Sequence, residues 1–163
     1  MFPGGGLEPL QPETRMVRLF LEVIFFTATA FWGWASFTLL GLVVAIPYLR
    51  RTTSIATVSS HTARRPYLAA LALHYWLAPA VLVVSFLHAW IPMASGHMPH
   101  TSMRGLWLAT YALGLIFVQL LLGLALRSVG PRTAQALRRI HFVLAIAIAT
   151  LVLTHLWLNG PFF

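Results

Sequence analysis

The chain has no cysteine, no lysine and no aspartate in its 163 residues. Without thiols there can be no disulfide, no thiolate zinc site, no cysteine-ligated iron–sulfur cluster, no covalently attached c-type haem and no thiol nucleophile. Charge of any kind is scarce. Only 9% of residues are charged, against about 25% in soluble domains. The hydrophobic share is 59% and the mean hydropathy is +0.81. Three glutamates stand against eleven arginines, for a net charge of +8. A nucleic-acid-binding domain can be as basic but is not this apolar, so no nucleic-acid partner is expected. The composition is that of an integral membrane protein with lipid as its solvent and arginine in its loops. A chain of this length, mostly inside a bilayer, has no room for a flavin or nucleotide domain. Any soluble catalytic domain would belong to a partner subunit.

A membrane-crossing helix needs about 20 mostly apolar residues. Four stretches qualify, at about 19–49, 67–92, 106–126 and 136–158. Backbone groups in lipid must be satisfied internally, so these stretches are expected to be helices; the alternating strands of a barrel are absent. The expected fold is an all-α membrane protein, a four-helix transmembrane bundle over residues 19–163, preceded by an extended arm over 1–18. The arm, MFPGGGLEPLQPETRMVR, is rich in Pro and Gly and does not read as a cleaved signal peptide.

Arginine placement sets the expected orientation. Arg50, Arg51, Arg64, Arg65, Arg127, Arg132, Arg138 and Arg139 fall on one side, and Arg15, Arg18 and Arg104 on the other. Basic loops stay in the cytoplasm, which puts both termini on the outer, periplasmic side of a bacterial inner membrane. Trp90, Trp107 and Trp157 lie near the outer boundaries, where aromatic belts account for them.

Four histidines lie inside apolar segments: His74 and His88 on the second, His141 and His155 on the fourth. Ionisable groups are costly in lipid and usually functional. Both pairs are separated by 14 positions, and both cross-pairs, 74 to 141 and 88 to 155, by 67. Fourteen residues bring a helix back to nearly the same face, roughly 40° short, after a rise of about 21 Å. The second and fourth segments run in the same direction. His74 therefore stands level with His141, and His88 with His155. Two imidazoles converging from opposite sides suit the two axial positions of a haem iron, and a bis-His iron has no open position for oxygen. The expected cofactors are two stacked, low-spin b-type haems, an inner one on His74 and His141 and an outer one on His88 and His155. Isolated polar residues bonded to the backbone, or a metal-transport site, are the competing readings. Two levels about 20 Å apart do not make one transport site.

These residues carry a resemblance. The paired His-x13-His pattern on alternate helices resembles the di-haem b-type membrane cytochromes, a class that includes the haem core of quinol:cytochrome c reductases and the ferric reductase-like transmembrane proteins. The segment LRRIHFVLAIAIATLVLTHLW, from Leu137 to Trp157, is similar to a haem-ligand helix of the ferric reductase-like proteins, with basic residues before one His and an aromatic after the other. The resemblance implies electron transfer across the membrane, between a quinone pool or redox partner on one side and a partner on the other. The chain departs from both groups. Ferric reductase-like proteins usually have six helices and a following flavin domain, and the quinol:cytochrome c reductase core starts on the inner side.

Around the expected haems, Arg64, Arg65, Arg138 and Arg139 precede the inner histidines. They can pair with haem propionates, or simply hold the topology. Gly33, Gly41, Gly114 and Gly123 can admit a flat macrocycle or let helices pack closely. Pro79 can kink the second helix. The outer stretch MASGHMPHTSM, Met93–Met103, offers Met93, His97, Met98, His100 and Met103 as soft ligands for copper. With Glu22, its histidines could instead take protons from a quinol. His61 is given no chemistry. A quinone-reactive oxidoreductase, a Met/His metal-handling protein and a structural membrane anchor are the alternatives to an electron-transfer subunit.

Overall fold

The computed structural model describes residues 12–57, 64–96 and 102–159, with the side chains of 13–46, 69–96 and 102–159. Every regular element among them is a helix: α1 (Pro12–Thr57), α2 (Arg64–Ser95), α3 (Met103–Ala125) and α4 (Pro131–Asn159). Each contains a span long and apolar enough to cross a membrane, Glu13–Ile46, Ala69–Ser95, Met103–Ala125 and Pro131–Asn159.

The helices outrun the apolar stretches because hydropathy measures the lipid-crossing part alone. The largest difference is at the start. Residues 12–18, expected in an extended arm, are the opening turns of α1. Pro12 suits a first helical position, Glu13 faces the positive helix end, and Arg18 pairs with Glu22 one turn on, at 3.1 Å. Residues 1–11 lie outside the described residues. At 46 residues α1 is about 69 Å long, more than twice a hydrocarbon core of about 30 Å.

The ends of the other helices follow local chemistry. Gly96, at φ 66°, closes α2 in the left-handed conformation that glycine adopts without strain. Ser102 caps α3, its hydroxyl accepting from Gly105 N at 3.0 Å. Pro131 opens α4 after a short turn held by Leu126 N to Leu122 O and Arg127 N to Leu124 O.

Pairwise contacts fix the arrangement. Thr29, Ser36 and Val43 of α1 meet His88, Ser85 and His74 of α2, so α1 and α2 form an antiparallel hairpin. Ser102, Gly105 and Gln119 of α3 meet Asn159, His155 and His141 of α4, giving a second one. The hairpins join where Val81, Ile116 and Ile148 pack together with Leu39, Leu40 and Val43 around them. The exterior is an apolar coat, with Trp76, Phe86, Phe117, Phe142 and Trp157 all exposed. Several threonine hydroxyls within the spans bond to their own helix, as Thr38 does to Trp34 O at 2.9 Å and Thr150 to Ile146 O at 3.0 Å, and so are satisfied without water.

Candidate functional site

The four membrane histidines come together as two pairs. The His74 and His141 rings lie 6.4 Å apart between centroids, inclined at 64°. The His88 and His155 rings also lie 6.4 Å apart, inclined at 77°. Two pairs in the same order show that α2 and α4 run parallel and in register. The first pair lies toward the end that carries Arg127, Arg132, Arg138 and Arg139, the arginine end; the second lies toward the opposite end.

Three of the four rings are held from behind by the helix with which their own helix forms a hairpin. His74 Nδ1 bonds to Val43 O at 3.1 Å, and His88 Nδ1 to Thr29 O at 2.9 Å, both on α1. His155 Nδ1 bonds to Gly105 O on α3 at 2.9 Å. A carbonyl only accepts, so Nδ1 carries the proton in all three and the lone pair lies on Nε2. Asn159 Nδ2 lies 3.4 Å from His155 Nδ1. In this tautomer it is a neighbour and not a donor to that atom. Metal-ligating imidazoles are commonly held in this way, the outer N–H on a backbone carbonyl and the other nitrogen toward the metal.

Packing separates the two levels. Val81 stands seven residues from both His74 and His88, and Ile148 seven from both His141 and His155. These two are the most enclosed hydrophobic residues described, each 2% exposed, while all four histidines are only half-buried. The bundle is most tightly closed midway between the two histidine levels.

The donor set narrows the chemistry. Among the described residues no three His, Asp or Glu side chains gather as a metal-ion site. Two imidazoles are too few for a bare tetrahedral ion, but they complete an iron whose macrocycle supplies the other four nitrogens. The 6.4 Å between ring centroids at each level leaves room for one metal atom between the two imidazoles. The residues present fit a bis-His haem at each level.

The other expected participants divide. Gly33 faces His88, and a Cβ there would stand 2.9 Å from His88 Cε1; one on Gly123 would stand 3.6 Å from His141 Cε1. Gly41 and Gly114 are exposed, with nothing within 4 Å of a Cβ built on them. They neither face a histidine nor pack against a neighbouring helix. Arg138 and Arg139 are exposed within the first turns of α4, and Arg64 and Arg65 open α2 with their side chains outside the described residues. Glu22 is tied to Arg18 and lies two helical turns beyond Thr29, where the His88 level begins. Met93 and Met103 are exposed, whereas His61, His97, Met98 and His100 lie outside the described residues.

Several contributors were not anticipated. The carbonyls of Thr29, Val43 and Gly105 carry no side-chain signature. Arg127 packs its guanidinium over the Tyr75 ring at 3.8 Å, beside His74. Gln119 donates from Nε2 to His141 O at 2.8 Å. As the one amide side chain in an otherwise apolar run of α3, Gln119 was open to the same reasoning that singled out the histidines. No family model, curated protein or solved structure gives a significant match to this chain.

Proposed function

We propose that this chain is a di-haem b-type membrane cytochrome, an electron-transfer subunit that works with a redox partner. His74 and His141 would hold the inner haem, and His88 and His155 the outer. The observation that carries the reading is the pair of facing imidazoles, repeated at the same 6.4 Å separation on parallel helices. Haem, when bound, supplies one-electron chemistry at each level. The chain supplies the rest. The carbonyls of Val43, Thr29 and Gly105 hold Nδ1–H and so keep Nε2 available. The 14-residue rise along α2 and α4 sets the separation of the levels, and Val81, Ile116 and Ile148 pack between them. The apolar coat supports a position of both levels within lipid, and under the positive-inside rule the arginine end would face the cytoplasm. A quinone-reactive enzyme is less well supported, because Glu22 is paired with Arg18 and stands away from the His88 level.

The test is haem quantitation on the purified protein with a reduced-minus-oxidised spectrum. Close to two non-covalent haems per chain, with low-spin b-type bands, is the expected result. Protein made with ample haem supply that carries none would overturn the reading.

A further inference from the structure

Three of the four imidazoles are held by backbone carbonyls, and His141 is not. Its Nδ1 is enclosed by protein and has no hydrogen-bond partner, and the Oε1 of Gln119 is in the same position. The two atoms belong to residues already joined, since Gln119 Nε2 donates to His141 O at 2.8 Å. Gly123, one turn from Gln119 along α3, lies against the same imidazole. The two unmatched atoms are complementary. A neutral imidazole N–H donates and an amide oxygen accepts, and unmatched polar atoms in an enclosed apolar setting are disfavoured. A change in the Gln119 side-chain torsions, at the expense of the Nε2 bond to His141 O, would be needed to bring Oε1 to the ring.

We infer that Gln119 is a positioning residue for His141, its side-chain amide oxygen serving as the acceptor that a backbone carbonyl provides for His74, His88 and His155. The inference rests on the di-haem reading and adds to it a built-in difference between the two levels. A carbonyl fixed in a helix gives a constant, well-aimed hydrogen bond, and an amide on a flexible stem gives a weaker one. Hydrogen bonding at the outer N–H makes an imidazole a more basic ligand, and a more basic ligand favours the ferric state. The arginine-end level, with one carbonyl-held and one amide-held ligand, therefore sits at the higher potential. The arginines gathered at that end act in the same direction, since positive charge favours the reduced iron.

The experiment uses the full-length, haem-loaded protein. Gln119→Leu removes acceptor and donor together, Gln119→Glu keeps an acceptor, and Thr110→Val is the control, because Thr110 is exposed on the same helix and bonds its own Leu106 O at 3.0 Å. Readouts are haem content, the midpoint potential of each haem and the low-spin ferric EPR signals. The arginine-end haem is identified by its loss in His74→Ala. In Gln119→Leu the expected result is two haems, with an upward shift in potential and a displaced EPR signal for the arginine-end haem alone. Gln119→Glu returns that EPR signal toward its wild-type position, and Thr110→Val changes nothing. Loss of the arginine-end haem in Gln119→Leu but not in Gln119→Glu also supports the role. Unchanged potentials and signals in Gln119→Leu overturn it, as does an equal shift of both haems, or loss of haem in both Gln119 variants. Wild-type protein with two haems and a silent Gln119→Leu overturns this inference alone. Wild-type protein without haem overturns the di-haem reading and this inference with it.

Discussion

The His88 ring lies against the bare backbone of Gly33, where a Cβ would stand 2.9 Å from Cε1 and 3.1 Å from Nδ1. The closeness is what lets the carbonyl of Thr29, one turn away on α1, reach His88 Nδ1 at 2.9 Å. Gly33→Ala forces the ring to give by a few tenths of an ångström, and Gly33→Leu displaces it. On the proposed di-haem reading, we expect Gly33→Leu to lose the haem at the opposite end and keep the one at the arginine end, seen as half the wild-type haem content. Gly41→Ala meets nothing. It should leave haem content unchanged and stabilise the helix by up to about 1 kcal/mol, measured by thermal unfolding in detergent. Equal behaviour of the two positions would refute the placement of Gly33 at the site.

The histidine levels make a pairwise prediction. His74→Ala and His141→Ala should each remove the same haem, and the double variant should remove no more than either. His74→Ala combined with His88→Ala should remove both. Redox titration, resolving one remaining transition against none, distinguishes the cases. If His74 and His155 shared a haem, the parallel register of α2 and α4 would be wrong.

Ile148 and Val81 close the bundle between the levels. Large-to-small changes in such a position cost about 2–5 kcal/mol in soluble cores, part of it for transfer from water. In lipid the transfer part is largely absent, so Ile148→Ala should cost about 2 kcal/mol. The expected signs are a lower midpoint of thermal unfolding and altered spectra for both haems, because the change lies between them. A variant in which only one haem responds would place the packing elsewhere.

Asn159 ties the end of α4 to the start of α3. Its Oδ1 accepts from Ser102 N at 2.9 Å and from Ser102 Oγ at 3.0 Å, and its amide occupies the space that a side chain at Gly105 would fill. Asn159→Leu removes both bonds and should cost roughly 1–3 kcal/mol. Faster hydrogen exchange at the Ser102 and Gly105 amides is the local check, since global loosening would raise exchange along α4 as well. Gly105→Val should be more severe, because it displaces Asn159 and disturbs the carbonyl that holds His155.

Much of this architecture is written in the order of residues, for identifiable reasons. Lipid leaves a chain few options, so apolar runs of about 20 residues specify helices without knowledge of their neighbours. The histidine levels were legible because 14 and 67 are arithmetic on two parallel rods of equal rise. Helix ends were less so: Pro12–Arg18 is polar, and hydropathy is blind to a helix that continues past the membrane. The supports behind the rings were hidden for a different reason. Every residue has a carbonyl, and nothing in the identities of Thr29, Val43 or Gly105 shows that theirs are used. The glycines were ambiguous in the same way. Gly33 and Gly41 are eight residues apart on one helix, and only the rotation of α1 about its axis decides which of them faces a histidine.

The thin joint between the α1–α2 and α3–α4 hairpins bears on how the molecule comes into being. Each hairpin is internally fastened, by Ser36 to Ser85 at 2.5 Å in one and by Gln119 and Asn159 in the other. Between them the described core offers mainly Val81, Ile116 and Ile148 with the residues around them. On the proposed di-haem reading, each cofactor position would draw one ligand from either half. On that reading, insertion into the bilayer would yield two halves that wait to be clasped, with the proposed haem as the clasp. Expressed as separate polypeptides, residues 1–96 and 102–163 should then co-purify when haem is supplied and drift apart in a haem-starved cell, and cofactor supply would set the lifetime of the assembled bundle.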